Sequence, residues 1–432
     1  MPSGTFRSLR STNYRLWAAG ALVSNIGTWM QRTAQDWLVL TQLTHHNATA
    51  VGIVMALQFG PMAILLPFTG SAADHFNRRK ILIATQTAMG LLALGLGILT
   101  VTGLVKLWEV YGFALALGCT TAFDSPARQT FVAEMVGEAD LSNAVALNST
   151  SFNGARMLGP AMAGLLIAAA GTGWVFLINA ASFVAVLGSL CLLRKDQMHS
   201  HARAPRTRGS FAAGLRYVWG RPDILVVLVM LFLIGTFSFN FAIFIATMTV
   251  SVFHTGVSHY GFFTSIMAVG SVSGALLAAR RQSPRMSFLF AAAATLSFGL
   301  TLAALMPNSL LFCLSLMIVG LAAQNFTTTA NSMIQMSTEP AMRGRVIAIF
   351  LAIAMGGTPV GAPIMGWIAD HFGPRWAIGA GASAAFAAAM ACVYYLVRFR
   401  NLHLQMNGGR PRLMFDREPK QVFAKPGPRA AE

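Results

Sequence analysis

Twelve apolar stretches run through this chain, near 14–41, 50–73, 81–103, 107–124, 143–170, 173–193, 223–252, 259–279, 286–306, 309–335, 345–369 and 375–397. Roughly 17–25 apolar residues suffice for a helix to cross a bilayer. The pattern therefore predicts an all-α integral membrane protein with twelve transmembrane helices. The first, fifth, seventh, tenth and eleventh stretches exceed the need, which leaves room for tilt. Composition closes the other routes. Hydrophobic residues make up 55% of the chain and charged residues 10%, against about 25% charged in soluble domains. A soluble enzyme of this composition could not cover its own surface. A disordered chain needs the opposite balance. The opening apolar stretch is too long for a cleaved signal sequence and reads as the first span.

A net charge of +17 could serve nucleic acid or a negative membrane face, and position decides. Twelve spans put both termini on one side. On that side fall Arg7, Arg10, Arg15, Arg78, Arg79, Lys80 and Arg128, the loop from Arg194 to Arg221, and Arg280, Arg281, Arg285, Arg343 and Arg345. The tail from Arg398 to Arg429 completes the set, 27 of the 31 Lys and Arg residues. Lys106 and Arg375 lie opposite, and Arg32 and Arg156 lie within spans. The positive-inside bias places both termini in the cytoplasm of a cell with an inner membrane. No nucleic-acid partner is needed to explain the charge.

The polar, basic stretch 195–222 divides residues 1–194 from 223–399, six spans from six. Residues 400–432 form a basic, proline-containing cytoplasmic tail expected to be disordered. Gly159, Gly164, Gly171 and Trp174 recur 202 residues later as Gly361, Gly366, Gly373 and Trp376. These positions lie on the fifth and eleventh spans, which correspond in a six-plus-six repeat. Two pseudo-symmetric six-helix bundles follow. The four cysteines, Cys119, Cys191, Cys313 and Cys392, sit singly in apolar runs, with no metal-binding spacing.

Between the second and third spans the chain reads Gly70-Ser-Ala-Ala-Asp74-His-Phe-Asn77-Arg78-Arg79-Lys80. Gly70 permits close helix packing, Asp74 suits a basic partner or a helix N-terminus, and Asn77 suits the left-handed conformation of a tight turn. This stretch resembles the cytoplasmic signature loop of the major facilitator superfamily, matching at Gly70, Ala73, Asp74, Arg78 and Arg79 and departing at Ala72, His75 and Asn77. The resemblance implies that the loop latches two halves together, a gating role for Gly70, Asp74, Arg78 and Arg79. Residues 369–375, Ala-Asp-His-Phe-Gly-Pro-Arg, look like a second copy. They follow the eleventh span on the other side, at a distance that does not fit the half-repeat, so they read as chance recurrence.

The fifth span carries Gly154, Gly159-Pro160 and Gly164, similar to the superfamily's exporter motif. The run from Asp124 through Asn143, Asn148, Asn153 and Arg156 to Gly164, and the opening Asn13-Tyr-Arg-Leu-Trp, resemble the bacterial enterobactin-exporter-like branch. The resemblance implies efflux of small amphipathic molecules, drugs or siderophore-like compounds, by alternating access on a proton gradient. Partners are then a small-molecule substrate, protons and the lipid bilayer, with the protein a monomer and no cofactor or metal.

Asn25, Trp29, Arg32 and Asp36 step by four, three and four, so they share one face of the first span. Charges inside a span face protein or water rather than lipid. The stripe either lines a transport cavity, with Asp36 taking up a proton, or forms an Arg32–Asp36 ion pair that fixes packing. On the fifth span, Asn153 and Arg156 share a face. Arg156 can hold an anionic substrate or pair with Asp36 or Asp124. Gln324 and Asn325 on the tenth span add uncharged hydrogen-bonding groups. Spans 3, 6, 9 and 12 carry no charge in their cores and can face lipid. The superfamily layout, which the polarity matches, places spans 1, 4, 7 and 10 around the cavity. The fourth span lacks the basic residue common in proton-coupled exporters. Nothing resembles a nucleotide-binding or hydrolytic motif, and no catalytic residue is assigned. The alternatives are an uptake permease of the same fold and an integral-membrane enzyme built on Asp36, His45, His46 or Asp124.

Overall fold

The computed structural model describes residues 6–198, 211–279, 281, 284–340, 342–400, 402–407 and 410–415. Side chains are described except at 66–68, 70–75, 138–139, 195, 211, 279, 400 and 402–415. The first half holds α1 (Thr12–Trp37), α2 (Ala48–His75), α3 (Arg78–Val101), α4 (Leu107–Met135), α5 (Glu138–Ala170) and α6 (Thr172–Leu192). A short helix, α7 (Phe211–Trp219), precedes the second half. The seventh span is built from α8 (Pro222–Leu233) and α9 (Phe241–Thr247), interrupted and then extended by π-helical turns at Ile234–Ser238 and Met248–Val252. There follow α10 (Val257–Ala279), α11 (Met286–Leu305), α12 (Ser309–Ser337), α13 (Arg343–Phe372) and α14 (Pro374–Arg400). These are the twelve expected spans.

Among the described residues, nine segments are both long and apolar enough to cross a membrane on composition alone. The helices that fall short are α1, α4 and α5, and the reason is physical. Polar side chains interrupt their apolar runs: Asn25, Gln31 and Gln35 of α1 and Asp124 of α4 are buried in protein, whereas Ser149, Thr150 and Asn153 of α5 are exposed. The fourth helix also outruns its expected apolar stretch by eleven residues, to Met135. Its polar extension stays helical because Asp124 and Arg128, one turn apart, pair with each other at 3.0 Å. Helix starts are capped by Ser11 on the Tyr14 amide, Asn77 on that of Lys80 and Asn308 on that of Leu311. Asn77 thus differs from expectation. Its φ of −66° is an ordinary extended cap, not a left-handed turn.

Within the first half α1 packs on α5 and α6, and α3 on α4 and α6. In the second, α10 packs on α12 and α11 on α12 and α14. Two seams join the halves, α2 against α13 and α5 against α10. The repeat read from the sequence governs them. A Cβ on Gly164 would press on α10 at Val257 and Gly261, and one on Gly366 would press on α2 at Ala48 and Thr49. Likewise Gly159 lies against Trp29 of the first span and Gly361 against Thr236 of the seventh. Gly171 and Gly373 close their helices at φ of 91° and 97°, a conformation that costs glycine little. Trp174 and Trp376 are both exposed. The four recurrences therefore mark equivalent positions, two of them contacts.

Large apolar side chains such as Leu91, Val184, Phe298 and Phe386, on α3, α6, α11 and α14, are exposed. These are spans 3, 6, 9 and 12. Part of the tail is described. Leu402–Asn407 and Arg410–Phe415 pair as an antiparallel hairpin with Leu402 opposite Phe415. The alternation Leu402-His-Leu-Gln-Met406 carries the period of two that a composition argument overlooks. Residues 199–210 of the linker and those beyond 415 lie outside the described residues.

The seams give the first prediction. A methyl group on Gly366 would stand 2.5 Å from the Ala48 carbonyl, which is backbone and cannot swing away, whereas Gly154 has open space around it. Gly366→Ala should destabilise the protein by about 1–3 kcal/mol. Gly154→Ala should leave stability unchanged or raise it by up to about 1 kcal/mol. Unfolding in detergent with increasing denaturant measures both, and equal effects would contradict the seam assignment.

Candidate functional site

The first span brings four polar groups to one face, but they separate into two environments. Nearest the end that carries the termini, Asn25 is buried and accepts a hydrogen bond from Arg128 at 3.1 Å. Asp124 accepts from Arg128, from Thr85 at 2.8 Å and from Gln86 at 2.7 Å. This knot joins α1, α3 and α4 and leaves Asp124 no room to meet Arg156. Arg78 pairs with Glu134 of α4, and Arg79 donates to the Leu190 and Cys191 carbonyls at the end of α6. Both arginines act within the first half. The side chains of Gly70 and Asp74 lie outside the described residues.

One to three helical turns further on, Trp29, Arg32 and Asp36 line a cavity of about 210 Å³ between the halves. Its wall also takes Met55, Gln58 and Phe59 from α2, Arg156 and Pro160 from α5, and Thr358 from α13. Phe239, Phe241, Ala242 and Ile245 come from the interrupted seventh span. Tyr260, Thr264, Met267 and Ala268 come from α10. Spans 4 and 10 contribute nothing to this wall, contrary to the layout the resemblance implies. The seam helices replace them, because here α2, α5, α10 and α13 close around spans 1 and 7.

Of the two readings left open for the stripe, the Arg32–Asp36 ion pair is not among the described salt bridges. Arg32 turns its guanidinium onto the Trp29 ring at 4.9 Å and the Phe59 ring at 5.2 Å. Arg156 lies over the same indole at 5.6 Å. Trp29 is held from behind by Gly159, whose missing side chain admits it, and edge-on by Phe152. Among the described ion pairs, none involves Arg32 or Arg156, and Arg32 Nε is buried without a hydrogen-bond partner. Cation–π contact is worth about 0.5–2 kcal/mol, far less than a buried guanidinium gains from an anion. Asp36 instead accepts from the Tyr260 hydroxyl at 3.4 Å, and Tyr260 stacks on Trp37.

The other sequence candidates stand elsewhere. Asn153 donates to Ser149 of its own helix, Gln324 donates to Thr328, and Asn325 accepts from Arg281 at 2.9 Å. Tyr260, Phe59 and the Phe239-Asn240-Phe241 break escaped the sequence reading. Asn240 flanked by aromatics inside an apolar run is the one signal that could have revealed the break. Interrupted helices bordering a central cavity are a recurring transporter device.

Comparison with known proteins fits this geometry. The family described as transmembrane secretion effector matches residues 3–416. The chain belongs to that family, within the major facilitator superfamily. This family member is 24% identical to the staphyloferrin A transporter of Staphylococcus aureus (strain NCTC 8325 / PS 47), over 81% of this chain and 87% of the relative. It is 25% identical to the multidrug efflux pump Tap of Mycolicibacterium fortuitum, over 82% and 88%. It is 24% identical to the enterobactin exporter EntS of Shigella flexneri, over 78% and 80%. Among solved structures, a POT family transporter bound to 5-aminolevulinic acid superposes with a TM-score of 0.74 at 9% identity, over 89% of this chain and 96% of that one. A D-xylose–proton symporter gives 0.69 at 14%, over 89% and 97%. The family member is thus a secondary transporter of the major facilitator fold.

The knot generates a prediction separable from the cavity. Asp124→Ala takes the carboxylate from Arg128 and leaves it the Asn25 oxygen, and breaking a buried pair costs about 3–5 kcal/mol. Denaturant unfolding in detergent should show that loss. A loss under about 1 kcal/mol would mean that the knot is not structural.

Proposed function

We propose that this transporter exports small amphipathic anions from the cytoplasm across a bacterial inner membrane, driven by inward proton flow. The observation that carries the reading is the pair of guanidiniums, Arg32 and Arg156, set on one indole in a cavity between the halves with no carboxylate bound to either. An aromatic or apolar body would lie against Trp29, Phe59 and Phe241, and a carboxylate or phenolate would bridge the two arginines. The cavity is smaller than the roughly 300–1,000 Å³ common for small-molecule sites, so a large substrate needs the halves to part. Efflux is supported by the Gly159-Pro160 motif and by two relatives named as an efflux pump and an exporter.

Asp36 is the proposed proton carrier. It is the carboxylate in the cavity wall, and its release from Tyr260 would couple to Arg32 one turn away. The basic residues support both termini in the cytoplasm. Asp74 would latch the terminal end of the cavity, as the superfamily resemblance implies. The protein works as a monomer without catalytic chemistry.

Two measurements in proteoliposomes test this. Against a panel of fluorescent amphiphiles matched in size, wild type should transport anionic members in preference to neutral or cationic ones. Arg156→Ala and Arg32→Ala should each lower that rate by at least ~10-fold, the factor that about 1.4 kcal/mol represents. Preferential cation transport would reject the anion assignment. Asp36→Asn should lose gradient-driven accumulation yet keep substrate exchange across the membrane. Gradient-driven accumulation at the wild-type rate would show that the proton travels elsewhere.

A further inference from the structure

The seam between α2 and α13 carries a contact that neither the family resemblance nor the repeat foresees. The two helices run antiparallel, one from each half, with Gly52 and Gly366 setting their backbones close together. At the end away from the termini, the Asp370 carboxylate sits on the N-terminus of α2. One oxygen accepts from the Ala48 amide at 2.7 Å. The other accepts from the Thr49 amide at 2.8 Å and from the Thr49 hydroxyl at 2.5 Å. The first amides of a helix have no partner within it. The local cap, Asn47, serves only Ala50, at 2.9 Å. The two amides before it are left to a carboxylate more than 300 residues away, where charge and helix dipole favour it.

We propose that Asp370 is a functional residue of the transport cycle, a latch that holds the cavity shut at the end opposite the termini. Every bond it makes crosses from one half to the other, so all three break when the halves part there. Its equivalent in the repeat, 202 residues earlier, is Ala168, so the α5–α10 seam has no such latch. The tetrapeptide Ala369-Asp370-His371-Phe372 also repeats Ala73-Asp74-His75-Phe76. As a half-repeat that match fails, and it reads as chance along the sequence. In space the two copies end the two helices of one antiparallel pair, so they stand at opposite ends of the same seam. The latch proposal depends on the halves moving, not on which molecule or ion is carried.

The test is a pair of spin-label distances on the full chain in lipid nanodiscs, with the four native cysteines replaced by serine. Labels at His45 and Trp376 report the far end, and labels at Phe76 and Met336 report the terminal end. All four positions are exposed. Asp370→Ala and Asp370→Asn should shift the population toward a longer His45–Trp376 distance and a shorter Phe76–Met336 distance. The expected change is about 5–30-fold, the effect of losing one strong cap. Asp370→Glu, which keeps the charge, should recover part of it. Asn47→Ala removes a cap on the same helix end but no bond between halves, so its distances should match wild type. Unchanged distances in a folded Asp370→Ala protein would overturn the latch. So would an equal shift from Asn47→Ala, or loss of stability with both label pairs merely broadened.

Discussion

Hydrocarbon offers nothing to hydrogen-bond with, and the architecture of this molecule is set by where its polar side chains go instead. In α1 and α4 many of them go inward, at Asn25, Gln31, Gln35 and Asp124. Once inside they have two fates. Some bond to one another, as in the knot of Asp124, Arg128, Asn25, Thr85 and Gln86, and these fix the helices of the first half to one another. Others are left incompletely satisfied, as at Arg32, Arg156 and Asp36, and these surround the space between the halves. Stability and transport thus draw on the same scarce resource, buried polarity, at positions only one to three turns apart on α1.

The cavity depends on the seams as much as on its own residues. Gly159 is part of a packing motif, yet its absent side chain is what seats Trp29, and Trp29 is what both guanidiniums rest on. The interrupted seventh span answers from the other half, placing Phe239 and Phe241 across the gap. Close backbone approach and substrate contact are therefore parts of a single construction.

Much of this was legible in the sequence, because lipid imposes patterns that composition cannot hide. The twelve spans and the four-residue recurrence followed from apolar length and spacing. The stripe on α1 was visible too, since helical periodicity fixes which residues share a face. Side-chain direction was not visible. Arg32 and Asp36 are spaced to pair, but Trp29 and Phe59 offer Arg32 a different resting place. Tyr260 meets Asp36 from a helix 224 residues away in sequence, which no local pattern encodes. The match at Asp370 was set aside because a linear offset is blind to two helices lying antiparallel.

The glycine contacts repeated across the halves also bear on where such a chain comes from. Residue by residue, α5 touches α10 as α13 touches α2, the relation found in a self-complementary dimer of identical subunits. A single six-helix precursor that associated with its own copy would have made both contacts with one set of glycines. Fusion of two such copies would leave each free to diverge. The polar knot of the first half and the broken span of the second are where the two halves now differ.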